Sequence, residues 1–134
     1  MKNLKPFFYL LLFALNSCGG FQNKDIETVK NTSLELGLGS KYVIGDLVKE
    51  ITGIKGTVKW KSFNPAGYED SPNVTCVQVD IIRNRDKYNL VAIQYLLNRE
   101  TGLVKLASLN VDGEKKSILD FLMILSEIGI DNIK

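Results

Sequence analysis

Apolar and polar positions along the chain change period several times, and each change marks an element. After Ser40, Val43, Ile44, Leu47, Val48 and Ile51 recur at helical spacing with Asp46, Lys49 and Glu50 opposite them. Ser40 suits the N-cap and Gly53 the stop, so the spacing predicts an amphipathic helix of about three turns. The period then becomes two. In residues 56–63, Val58 and Trp60 share one face while Thr57, Lys59 and Lys61 take the other. Residues 64–73 (NPAGYEDSPN) hold two of the three prolines and read as a loop.

Alternation resumes in residues 74–83, where Thr75, Val77, Val79 and Ile81 oppose Cys76, Gln78, Asp80 and Ile82. Residues 84–87 (NRDK) form a turn, and a strand from Tyr88 to Asn98 follows. Arg99 to Gly102 is a hairpin turn in which Gly102 supplies the positive φ. The strand 103–111 is closed by Asp112-Gly113. Connections this short admit only antiparallel pairing. Ser117 then caps a helix over 118–130 (ILDFLMILSEIGI) that is apolar nearly all round, a pattern that calls for burial on more than one side. The expected fold class is α+β: an N-terminal amphipathic helix, a four-stranded antiparallel meander and a C-terminal apolar helix, in one domain over residues 40–134. This element order resembles the cystatin-like and NTF2-like superfolds, in which a curved sheet wraps a helix. The strand at 88–97 is apolar on both faces, which implies cover for both sides of the sheet.

The first residues follow other rules. Lys2 and Lys5 precede an unbroken apolar run from Phe7 to Leu15, nine residues that as a helix reach about 14 Å, half the thickness of a bilayer core. This is the pattern of an export signal. The run ends in Leu15-Asn16-Ser17-Cys18, which resembles the lipobox of bacterial lipoproteins, with Asn16 the one unusual residue. The resemblance covers residues 1–18. It implies a diacylglyceryl group on the Cys18 thiol, cleavage after Ser17 and acylation of the new amine, hence a membrane-held protein of the cell envelope. Gly19 stands where an aspartate would resemble an inner-membrane retention signal, which favours the outer membrane. Residues 18–39 then read as the lipidated cysteine, a polar tether and a lead-in. Residues 25–29 suit a helical turn, and Leu34, Leu36 and Leu38 suit a short strand.

Composition narrows the chemistry. Beyond the signal the chain carries 15 basic and 15 acidic residues, so it lacks the field that nucleic-acid binders use. There is no histidine, which removes the commonest general base, the commonest metal ligand and every Ser-His or Cys-His pair. With Cys18 lipidated, Cys76 is the one cysteine left and reads as a small packed hydrophobe. Glu69 and Asp70 lie on the proline-rich loop, where binding residues concentrate. Trp60 with Phe63 and Tyr68 could form an aromatic binding patch beside them, although Val58 on the same face argues for Trp60 in the core. No cofactor or metal is called for.

The sequence therefore points to a non-enzymatic binding or scaffolding module at the envelope, attached through Cys18. Its partner would be another envelope protein or a second copy. The alternative is a carrier or sensor that holds a small apolar ligand between sheet and helices.

Overall fold

The computed structural model describes residues 24–36 and 41–130. The signal, Cys18, and the expected N-cap Ser40 lie outside them. The described chain runs through a helix α1 (residues 24–30), strands β1 (Ser33–Glu35) and β2 (Lys41–Val43), and helix α2 (Ile44–Thr52). Strands β3 (Thr57–Phe63), β4 (Val74–Ile82), β5 (Leu90–Asn98), β6 (Val104–Val111) and β7 (Glu114–Lys115) follow, and helix α3 (Ile118–Glu127) closes it. The class is α+β. The main sheet has five antiparallel strands in the order β3-β4-β5-β6-β7, and β1 pairs with β2 in a separate two-stranded sheet.

The fifth strand corrects the expected four. Asp112 and Gly113 both take positive φ, 52° and 85°. That is the geometry of a two-residue hairpin turn, so the chain reverses at once and pairs Val111 with Glu114. Two further boundaries shift. Val43, expected in the first turn of the amphipathic helix, is the last residue of β2 and caps α2 without a side-chain bond. Tyr88, expected in β5, sits at φ +54° in the preceding turn, and β5 begins at Leu90.

Residues 24–36 fall in the lead-in, where the sequence suited a helical turn over 25–29 and a short strand at Leu34 and Leu36, and what it did not show is how firmly they join the body. They hold a helix and a strand packed on the body, with Val29 and Leu36 in the core. Helix α1 is short and gains from tertiary contact what it lacks in length. The decisive contact is ionic. Asp25 is buried, and its carboxylate accepts from Arg99 Nε at 3.0 Å and Nη2 at 2.7 Å, while Arg99 Nη1 donates to Pro72 O at 3.1 Å.

One core unites these elements. The same face of β4 and β5 contributes Val77, Val79, Ile81, Val91, Ile93, Tyr95 and Leu97, and it meets Ile44, Leu47, Val48 and Ile51 of α2 and Phe121, Ile124 and Leu125 of α3. Of the two sheet faces that the sequence expected to be covered, the helices cover one: the buried apolar residues of α1, α2 and α3 all belong to one cluster on one face. The other face stays open because its middle is polar. Lys61, Gln78, Gln94 and Ser108 stand in register across four strands, and Gln94 Nε2 donates to Gln78 Oε1 at 2.7 Å. Helix α3 is likewise covered on one side only, since Leu119 and Met123 are 68% and 60% exposed. The 64–73 loop and the 99–103 turn lie at one end of the sheet. The 53–56 and 83–89 turns and Asp112-Gly113 lie at the other.

Candidate functional site

The aromatic patch expected from Trp60, Phe63 and Tyr68 does not assemble. Trp60 and Phe63 are three apart on one strand, an odd separation that sends them to opposite faces. Trp60 stands opposite Val79 on the core side, and Phe63 stands opposite Cys76 on the open side. Two separate surfaces result.

The first is a groove of about 540 Å³ bounded by α1, α2 and the outer edge of β3. Its floor is made by Trp60, Val58, Val48 and Gly45, and its walls carry Lys30, Glu27, Asp46 and Lys49. Trp60 is half-buried and packs against the core, with Lys30 Nζ 5.2 Å from its ring centroid, a cation–π distance. The same ammonium lies 3.5 Å from Glu27 Oε2, which holds it in place. Gly45 matters here because an added Cβ would come within 3.0 Å of Lys30 O. Among the described residues β3 pairs with β4 only, so its second edge is open toward the groove. Val58, on the core side, is 44% exposed for want of a neighbouring strand.

The second surface lies at the loop end of the sheet. Tyr68, Val74, Leu96, Leu103, Val104 and Lys105 line an open cleft of about 420 Å³. Leu103 is 71% exposed. The turn that carries it is rigid: Asn98 Oδ1 accepts from the Glu100 and Thr101 amides, and Asn98 N–H donates to Leu103 O at 2.9 Å. Glu69 and Asp70 are exposed and do not point into either groove; Glu69 Oε2 accepts from Gly67 N–H at 3.2 Å and serves the local turn.

The remaining candidates are structural. Cys76 is on the open face, as its parity requires, yet it is buried. Burial pushes its thiol up, offset only in part by Lys61, so it holds its proton at neutral pH. Asp80 breaks the apolar strand by facing the open side, where it meets Lys61 at 3.8 Å and accepts from Gln78 Nε2 at 2.8 Å. Among the described residues no three His, Cys, Asp or Glu side chains come together as metal ligands would. The side chains that face the space between sheet and helices are almost without accessible surface, Tyr95 and Phe121 the largest of them. Among the described residues no helix is long and apolar enough to cross a membrane.

Sequence reasoning missed Lys30, Asp25 and Arg99. The helical turn read over residues 25–29, with Ile26 and Val29 three apart, was the one sign of the element that carries two of them. Compared with known proteins, the chain matches no family model, no curated sequence and no solved structure.

Proposed function

We propose that this chain is a lipid-anchored protein of the bacterial envelope that binds another envelope protein along the β3 edge. The anchor reading rests on the export signal and the Leu15-Asn16-Ser17-Cys18 tetrapeptide. The observation that carries the binding reading is the open edge of β3 lying against the groove floored by Trp60 and Val58. An extended segment laid there gains main-chain hydrogen bonds from the edge and sends alternate side chains onto the indole. Charges in the groove come in both signs, Lys30 and Lys49 with Glu27 and Asp46, which suits a neutral, apolar segment better than a charged one. The carrier alternative would need an enclosed space between sheet and helices, and the described side chains that face it, Tyr95 and Phe121 the largest, expose almost no surface.

A photo-crosslinking amino acid at Val58, used in living cells, tests the reading. One discrete adduct with an envelope protein is expected, absent when the same group replaces Leu90 on the open face at the same end of the sheet. No adduct at Val58, or the same adducts from both positions, sinks the groove. For the anchor, Cys18→Ala should move the protein out of the membrane fraction.

A further inference from the structure

Resting on that anchor reading, we infer that the loop end of the sheet, led by Leu103 and Tyr68, lies in the lipid interface as a second membrane contact beside the acyl chains. Three observations converge on it. The first is reach. Only residues 19–23 separate Cys18 from Lys24, so an acylated Cys18 stands at most about 22 Å of extended chain from the start of α1. The second is where α1 is fastened. The bidentate Asp25–Arg99 pair ties its first turn to the β5–β6 hairpin, and Arg99 Nη1 ties the same point to the 64–73 loop through Pro72 O. The end of the sheet that holds Leu103 is therefore the end held near the bilayer. The nine-residue β4 sets the opposite end, with Ile54, about 30 Å farther along.

The third is the chemistry of that end. Leu103 projects from a rigid turn, Tyr68 flanks the apolar cleft, and Lys105 stands at its rim. A tyrosine beside an aliphatic tip and a lysine is the composition that settles at headgroup depth, with apolar atoms sinking about 5–10 Å toward the acyl boundary. The neighbouring Glu69, Asp70 and Glu100 offset the local basic groups, so the contact is apolar and does not depend on anionic lipid. A second contact also limits how the domain turns about its tether.

The test uses the full-length, processed protein reconstituted in phosphatidylcholine vesicles containing a nitroxide-labelled lipid. An environment-sensitive fluorophore is placed at Leu103→Cys or at Ile54→Cys; Cys76 is buried, and Ile54 is fully exposed at the far end. Quenching at 103 should exceed that at 54 at least about threefold, with a blue-shifted emission at 103 alone. The same result is expected with and without phosphatidylglycerol. The mass of the N-terminal peptide is measured on the same sample. Acylated Cys18 with equal, weak quenching at both positions overturns the contact and leaves the anchor standing. An unacylated Cys18 overturns both.

Discussion

With Arg99 replaced by methionine, the Asp25 carboxylate would stay buried without the fork that satisfies it. Removing one partner of a fully buried pair costs about 3–5 kcal/mol. The Arg99 side chain keeps 31% of its surface in water, so we expect about 2 kcal/mol for Arg99→Met, read as a lower urea midpoint at unchanged m-value. The two core phenols give a second residue-scale expectation. Burial pushes Tyr42 up to about 12, partly offset by the adjacent Tyr95 hydroxyl. Tyr95 is also raised, by burial with Tyr42 alongside, and its hydroxyl lacks a partner of good hydrogen-bonding geometry. A phenol that ionises near 10 in the unfolded chain but later in the fold favours folding below pH 10 and gives way above it. Stability should therefore fall between pH 10 and 12, by about 2–3 kcal/mol from Tyr42 alone. Chemical denaturation at stepped alkaline pH checks this, and Tyr42→Phe should flatten the slope. Neither the ion pair nor the phenol pair was legible in the sequence. Asp25 and Arg99 stand 74 positions apart, and one acid among polar neighbours carries no sign that it will be buried.

At the scale of elements, hydrophobic period was a sound guide wherever an element ran long enough to repeat it. α2, β4, β5 and β6 lie where Leu47, Val48, Val79, Ile93 and Leu109 placed them, to within a few residues at the ends. β2 is three residues, too short to show a period, while β1 was announced only by the alternation of Leu34 and Leu36 and α1 only by Ile26 and Val29 in a helical turn. β7 had a signal of another kind, since Asp-Gly between two strand residues, Val111 and Glu114, is a hairpin turn before it is a strand end. Helix α3 is the case where pattern misled. Its composition asked for burial all round, but the sheet supplies one face, and Ile118, Leu119 and Met123 remain outside. The expected consequence is a sharp contrast. Leu125→Asp places a charge in the core and should cost about 3–5 kcal/mol, whereas Leu119→Asp should change stability by less than about 0.5 kcal/mol. Thermal melts of the two variants settle which face is which, and equal losses would mean that Leu119 is covered.

At the scale of the molecule, all three helices share one side of the sheet, and the other side stays bare behind its rung of Lys61, Gln78, Gln94 and Ser108. Sequence parity had the right residues on each face of the strands. It had no means of assigning helices to faces, because that choice depends on how α1 and α2 fit against each other, down to Lys30 meeting Gly45. The candidate site suffered for the same reason: Trp60 was singled out, but its companions Lys30 and Val48 come from two helices that only the tertiary arrangement brings beside it. Phe63 and Tyr68, nearer in sequence, go elsewhere.

The fastening of α1 at its first turn also has a mechanical side. Any tug on the leading segment enters the body at Asp25 and is handed through the guanidinium fork to the turn of the β5–β6 hairpin and, through Pro72 O, to the 64–73 loop, where it is shared among several bonds. A short helix gripped only by Ile26 and Val29 would instead peel away turn by turn. Arg99→Met should therefore lower the force at which α1 comes away from the body, read by pulling on the leading segment in single-molecule force spectroscopy.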